Sequence, residues 1–98
     1  MKCTEEGHVY SLNNTQSSNA QEINFIHRAN GQLLRDGTTN EEVLAMLIDR
    51  MKYLNTKFAC RENSIVITKL EESLHWLNHR TELRVAQGAE TQDKAHKS

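Results

Sequence analysis

The sequence has no proline among its 98 residues, and residues 63–84 contain no glycine either, so nothing in that stretch interrupts a helix. Hydrophobic residues make up only 37% of the chain, and the first 20 and last 11 positions are polar. The middle of the chain must therefore supply the core. A domain of this size buries only about 60% of its unfolded surface, and oligomerisation is one common remedy.

Neither charge nor hydrophobicity indicates DNA or a membrane as a partner. The net charge is −1, which gives no bulk attraction to nucleic acid or to an anionic lipid surface. No apolar run approaches the roughly 18 residues of a membrane span, and no signal-peptide core is present. We therefore expect a soluble, intracellular protein. Cys3 and Cys60 are expected to be free, because disulfides are rare in a reducing compartment.

Residues 61–86 are predicted to form the longer of two helices. One face of this helix carries apolar residues at steps of three and four, namely Ile67, Leu70, Leu74 and Leu77. Beyond Leu77 the apolar pattern thins, and Arg80 and Arg84 follow on one face, four residues apart. The helix thus has a half that packs and a half that presents two guanidinium groups.

A shorter helix is predicted over residues 40–54. Thr39 as the N-cap and Glu42 three residues later match a capping box. The apolar residues that follow have amphipathic spacing and are Val43, Leu44, Leu47, Ile48 and Met51. Because residues 55–60 form a short connector, we expect the two helices to make an antiparallel hairpin.

A β-hairpin is predicted over residues 9–28, ahead of the helices. Residues 9–12 alternate in character and residues 23–27 contain strong β-formers, while residues 13–19 between them are a polar loop. The fold class is therefore α+β, mainly helical, with a short N-terminal β-hairpin and an oligomeric two-helix hairpin.

The two ends of the chain are predicted to be disordered. Residues 1–8 offer nothing to bury, and residues 89–98 form a charged tail without periodicity. Gly88 is a plausible stop for the second helix. A single domain is therefore expected over residues 9–88.

No residue pattern indicates catalysis or a metal. His75 and His79 share a helix face, but a zinc site needs three or four protein ligands, and no third ligand lies at a readable spacing. A glycine-rich phosphate loop, a nucleophile elbow and a Ser/His/Asp set are all absent. We therefore predict a protein that is not an enzyme and uses no metal or cofactor.

Arg80 and Arg84 are the best candidate for binding chemistry. Guanidinium groups bind phosphate bidentately and stack on nucleobases. Tyr53 and Asn63 flank the connector, at the opposite end of the helices, so only an antiparallel partner chain would bring them to the arginines. The alternative is that the two arginines only solubilise the helix and pair with Glu82 or another neighbour.

The segment from Phe58 to Arg84 resembles the helical-hairpin core of phage proteins that sequester cyclic nucleotide immune signals. Two related groups share this core, the Thoeris anti-defence sponges and the smaller anti-CBASS sponges. The motif Ile-Thr-Lys-Leu-Glu-Glu-x-x-x-Trp, which ends at Trp76, is similar to both groups. The strand at residues 23–26, the helix start at residues 39–42 and the two arginines are closer to the Thoeris group. The resemblance covers about residues 20–90.

The resemblance implies a homo-oligomer, from dimer to hexamer, in the cytoplasm of an infected bacterium. It implies binding of cyclic ADP-ribose isomers without cleavage, and in some members also of cyclic di- or trinucleotides of CBASS at separate sites. For the first site it assigns Arg80 and Arg84 to the pyrophosphate and Tyr53 to stacking on the base. It also assigns a polar contact to Asn63 and a further contact to Arg28, after the strand. The expected second nucleotide site is near Thr68 and Lys69.

Two other classes of function stay open from sequence alone. The first is a structural or regulatory helical hairpin that binds a partner protein. The second is a nucleic-acid-binding protein, against which the net charge of −1 argues. Five apolar residues exceed what one hairpin can cover and predict at least a dimer, namely Met46, Ile65, Val66, Trp76 and Leu83.

Overall fold

The computed structural model describes the backbone of residues 1–90 and the side chains of residues 1–88. The chain divides into two compact units, residues 1–42 and the chain from Val43 onward. Of the predicted disordered tail at residues 89–98, residues 91–98 lie outside the described part. The single domain predicted over residues 9–88 stays a prediction.

A three-stranded antiparallel sheet opens the first unit. Its strands, in spatial order, are β1 (Lys2–Glu5), β2 (Val9–Asn13) and β3 (Ala20–Asn24). The pairing of β2 with β3 around a polar loop confirms the predicted hairpin, although its second strand lies three residues earlier in the chain than expected. Val9 is only 6% exposed, and the ring of Tyr10 meets Phe25 edge-on, with centroids 5.8 Å apart.

Strand β1 takes the place of the disordered tail predicted over residues 1–8. Its four side chains are all exposed, so composition could not reveal it. A tight turn connects it to β2: Gly7 has a φ of 76°, and the His8 amide donates to the Glu5 carbonyl at 2.9 Å. Backbone pairing with β2 therefore orders a segment that buries almost nothing.

A second, two-stranded hairpin follows, which is not among the predicted elements. It consists of β4 (His27–Ala29) and β5 (Gln32–Arg35). Asn30 and Gly31 connect the strands with φ angles of 53° and 75°. Two positive φ angles in a two-residue loop are the geometry of a type I′ turn, which favours Asn-Gly. The Asn-Gly pair at residues 30–31 is thus a hairpin signal that the sequence carries.

The chain segment around Gly37 lies against the end of β3. The Thr38 amide donates to the Asn24 carbonyl, and the Ile26 amide donates to the Thr38 carbonyl, both at 2.8 Å. A Cβ atom on Gly37 would lie 2.5 Å from the Asn24 carbonyl oxygen and 2.6 Å from the Phe25 carbonyl carbon. Only glycine therefore fits this approach between two backbones.

Helix α1 spans Asn40–Lys57. The Thr39 hydroxyl oxygen accepts a hydrogen bond from the Glu42 amide at 3.1 Å, which confirms the predicted N-cap. The helix continues three residues past the predicted end, because nothing in residues 55–57 prevents helical geometry. Ile48, from the predicted apolar face, is 9% exposed.

Helix α2 spans Arg61–Glu90, so Gly88 lies inside the helix and the predicted stop there is wrong. Glycine in a helix costs about 1 kcal/mol relative to alanine, which weakens a helix without ending it. The predicted apolar face of residues 67–77 is half-buried. An ion pair joins the helices, since Lys52 Nζ lies 3.2 Å from Glu71 Oε2. Antiparallel strands followed by two helices confirm the predicted α+β fold class.

Much apolar surface of the helices stays exposed. All five residues predicted to exceed the packing capacity of one hairpin are exposed, and Trp76 reaches 65%. In the described part of the chain, Val9 and Ile48 are the fully buried hydrophobic residues. Neither helix, over the length that the structure describes, is apolar enough to span a lipid bilayer.

Candidate ligand-binding site

Arg80 and Arg84 lie one turn apart near the end of α2, as the spacing predicts. Arg80 is exposed and Arg84 is half-buried. Among residues 1–88, no carboxylate lies within ion-pair distance of either guanidinium. The alternative in which Glu82 neutralises these arginines is therefore not what the structure shows.

The Nε atom of Arg84 is buried and has no hydrogen-bond partner within the described residues. A buried donor without an acceptor costs about 1–3 kcal/mol. An oxyanion placed against this nitrogen would supply the missing acceptor, and its charge would strengthen the bond. Of the two candidate arginines, Arg84 is accordingly the one with a buried donor for which a bound anion would supply an acceptor.

Tyr53 presents an aromatic surface at the opposite end of the hairpin. It lies on α1 one turn before the helix ends, and its side chain is 56% exposed. The Thr56 hydroxyl donates to the Tyr53 carbonyl at 2.6 Å, which holds the last helical turn. Lys57 Nζ lies 5.4 Å from the centre of the Tyr53 ring, within cation–π range. The ring is thus available for stacking, with one positive charge beside it.

Asn63 has a structural task that the sequence did not reveal. Its Nδ2 donates to the Phe58 carbonyl at 3.2 Å, across the connector between the helices. Its backbone amide donates to Cys60 Sγ at 3.4 Å, so Cys60 serves as the N-cap of α2. Because a carbonyl can only accept, the amide nitrogen must face Phe58, which leaves Oδ1 and the second N–H of Nδ2 for a ligand. Asn63 can therefore accept a hydrogen bond from a hydroxyl or an amine, and it has one neutral N–H donor left while this turn is intact.

The two ends of this candidate site do not meet within one chain. From Asn63 to Arg80 the helix advances 17 residues, or about 26 Å at 1.5 Å per residue. Arg28 belongs to the first unit, where it lies in β4 with an exposed side chain. The structure therefore groups the predicted contacts into an arginine end, a turn end and a separate strand position.

The expected second nucleotide site has partners of its own on α2. The Thr68 hydroxyl donates to the Ser64 carbonyl at 3.1 Å, within the helix. Lys69 Nζ lies 3.9 Å from Glu72 Oε1, which offsets part of its charge. A cyclic oligonucleotide would have to compete with both contacts, and this second site stays a prediction.

The first unit holds a polar cluster that sequence reasoning missed. Arg35 Nη2 lies 2.7 Å from Glu5 Oε1, and this ion pair lowers the pKa of the Glu5 carboxyl. The same ion pair raises the pKa of Arg35. The rings of His8 and His27 stack with centroids 3.6 Å apart, and His27 Nδ1 lies 3.8 Å from Glu5. Over the residues that the structure describes, no three metal-ligating side chains converge on one point.

Comparison with known proteins places the chain in a family. A family model described as Acb2/Tad1, hairpin domain, matches residues 17–82, which include all the candidate positions except Arg84. The protein named Thoeris anti-defense 1, from Bacillus phage SBSphiJ7, is 52% identical over 56 residues. That match covers 56% of this chain and 39% of the relative, so the chain spans well under half of the relative's length. The resemblance inferred from residues 58–84 is confirmed: the chain belongs to the Acb2/Tad1 hairpin-domain family.

Proposed function

We propose that this protein is a phage anti-defence sponge, a protein that binds a host immune signal and holds it without cleaving it. The proposed ligands are cyclic ADP-ribose isomers of the Thoeris defence, bound in the cytoplasm of the infected bacterium. Family membership and the name of the phage relative support the anti-defence role. The ligand class is what the resemblance to the Thoeris sponges implies, and the side chains of the candidate site suit it.

The observation that carries the proposal is the state of Arg80 and Arg84. Both guanidinium groups lack a carboxylate partner in the described chain, and Arg84 Nε is buried without an acceptor. A pyrophosphate supplies two negative charges and several acceptor oxygens at the spacing of a guanidinium fork. Hydrogen bonds between charged partners are roughly twice as strong as neutral ones. Two arginines in this state suit tight binding of such an anion.

The turn end supplies what the rest of a cyclic ADP-ribose requires. An exposed Tyr53 ring can stack on the base, which contributes about 1–3 kcal/mol. The free Oδ1 of Asn63 can accept from a ribose hydroxyl or the base amine. A protein that sequesters its ligand needs affinity, which stacking and charge can supply here, and it needs no nucleophile.

We propose that each site is shared between two protomers. Along one chain Asn63 and Arg80 are about 26 Å apart, so neither end alone surrounds a ligand. An antiparallel partner would bring its turn end to the arginine end of the first chain. The exposed apolar side chains on the helices, Trp76 foremost, are surface that such a partner can cover. The proposed assembly is a homo-oligomer, between dimer and hexamer.

Titration of the purified protein with cyclic ADP-ribose isomers tests this function. A ligand at 100 times its dissociation constant should stabilise the fold by about 2.7 kcal/mol, visible as a thermal shift. The ligand recovered after denaturation should be chemically intact, and conversion to a product would show an enzyme instead. Cyclic di- and trinucleotides, tested in parallel, address the expected second site at Thr68 and Lys69.

The competing hypothesis is a helical hairpin that binds a partner protein. It expects no thermal shift with any cyclic ADP-ribose isomer or cyclic oligonucleotide.

Arg50→Ala is the matched control for the two arginines, because Arg50 is also exposed and also without an ion pair in the described chain. Ligand binding that survives Arg50→Ala and fails in Arg80→Ala identifies the arginine end.

A further inference from the structure

Lys57 differs from the other lysines on the helices. Lys52 lies 3.2 Å from Glu71, and Lys69 lies 3.9 Å from Glu72, so each has a carboxylate that offsets its charge. For Lys57, no carboxylate of residues 1–88 lies within ion-pair distance. Its ammonium instead lies over the ring of Tyr53, 5.4 Å from the ring centre. The turn end of the hairpin therefore carries an unneutralised cation beside its exposed aromatic ring.

We infer that Lys57 is a further ligand-contacting residue, which binds a phosphate oxygen of the nucleotide whose base stacks on Tyr53. This inference rests on the proposed function and narrows its ligand class. The turn end then selects a base that carries a phosphate nearby, and a neutral nucleoside would lose this contact.

The geometry on α1 supports this role. Tyr53 and Lys57 are four residues apart and share one face of the helix. A base that stacks on the Tyr53 ring therefore comes close to the ammonium group. Lysine carries three donors on a flexible four-carbon stem, so it can turn from the ring to an oxygen without movement of the backbone. An exposed cation–π contact is weak, and a charge-assisted bond to phosphate readily replaces it.

The neighbouring side chain explains why Lys57 is needed there. Asn63 donates one N–H of its side-chain amide to the Phe58 carbonyl, so its oxygen and one neutral N–H are left for a ligand. A neutral amide offers an anion no charge, and hydrogen bonds between charged partners are roughly twice as strong as neutral ones. Lys57 supplies the positive charge that Asn63 lacks. The two side chains thus offer one nucleotide a neutral amide and a cation.

The test compares three variants in titrations with a cyclic ADP-ribose isomer that the wild-type protein binds. Lys57→Gln should weaken binding at least about tenfold, the effect of one lost hydrogen bond between charged groups. Its affinity should also depend less on salt, because one charge contact is gone. Lys57→Arg should restore most of the affinity. Lys52→Gln is the matched control and should bind nearly as the wild type does.

Each result has one interpretation. If Lys57→Gln binds like Lys52→Gln while Arg80→Ala loses binding, the role of Lys57 is wrong and the proposed function stands. If Lys57→Arg is as weak as Lys57→Gln, charge is not what Lys57 supplies, and the inference also fails. If the wild type binds no isomer, the proposed function fails and the inference with it. Lys57→Met, which keeps the apolar stem, serves as the second uncharged variant should the Gln variant fold poorly by circular dichroism.

Discussion

The side-chain amide of Asn63 donates to the backbone carbonyl of Phe58 at 3.2 Å and so closes the connector between the two helices. The same residue is a candidate ligand contact. Its position relative to a ligand therefore depends on the turn that it helps to hold. Stability and binding should be coupled at this position more than at any other in the candidate site.

Asn63→Ala should lower both stability and affinity. The loss of one hydrogen bond in the free protein should reduce the free energy of unfolding by about 0.5–1.5 kcal/mol. Urea denaturation measures this loss, and calorimetric titration measures the accompanying loss of affinity. Asn78→Ala, at an exposed position of the same helix, should change neither. An Asn63→Ala protein of wild-type stability would remove the structural task assigned to this side chain.

Replacement of Arg84 should separate binding from stability. Arg84→Met removes a buried donor that lacks an acceptor, so the free protein should be as stable as the wild type or more stable. Binding should weaken by about 1.5–3 kcal/mol, or roughly 10- to 150-fold, because a bond to a charged group is lost. Arg84→Lys should recover only part of this, since lysine lacks the bidentate fork. A large loss of stability in the ligand-free Arg84→Met protein would show that Arg84 is structural.

The ion pair of Glu5 with Arg35 should make the free energy of unfolding depend on pH in the acid range. The close contact with Arg35, aided by the charges of His27 and His8, holds the pKa of Glu5 below its ordinary value of 4.5. A lowered folded pKa means that the folded state favours the ionised carboxyl. The contribution to stability is therefore fully present above pH 4.5 and is lost as the pH falls through the folded pKa.

Glu5→Gln should accordingly flatten the acid limb of the stability profile. Urea denaturation of the wild type and the variant between neutral pH and pH 3 provides the comparison. Glu6→Gln, one residue away and outside the ion pair, should keep the wild-type slope. If the stability of Glu5→Gln fell with pH as steeply as that of the wild type, the acid dependence could not be assigned to the Glu5–Arg35 ion pair.

Gly37→Ala should destabilise the first unit. The added methyl group would lie 2.5 Å from the Asn24 carbonyl oxygen, and backbone cannot move aside as a flexible side chain can. Overpacking of this kind costs about 1–3 kcal/mol. Gln32→Ala, at an exposed position in β5, is the control and should have little effect. A Gly37→Ala protein with unchanged urea midpoint would show that the chain can separate there at no cost.

The helices were largely predictable from the sequence and the strands were less so. Periodic apolar residues predicted the type of both helices, because one buried face leaves a clear pattern, and the Thr39 cap predicted where the first helix begins. The predicted end of the second helix at Gly88 was wrong, since glycine weakens a helix without ending it. Strand β1 escaped prediction because it is held by backbone pairing and buries no side chain, so composition carries no trace of it.

Of the site, the sequence supplied residue types and positions but not their partners. The spacing of Arg80 and Arg84 predicted a shared face, and only the structure shows that neither has a carboxylate partner in the described chain. The bond from Asn63 to Phe58 depends on the exact path of the connector, which no pattern encodes. The charge beside Tyr53 required the same three-dimensional information.

The most direct test of the shared site uses a mixed dimer purified through two different tags. One chain carries Arg80→Ala and Arg84→Ala, and the other carries Tyr53→Ala and Asn63→Ala. Each altered chain alone should bind no cyclic ADP-ribose. If one protomer's arginine end meets its partner's turn end, the mixed dimer contains one intact site and one doubly altered site. Titration should then show half the wild-type number of sites, each with wild-type affinity. A mixed dimer with no site of wild-type affinity would contradict the shared site.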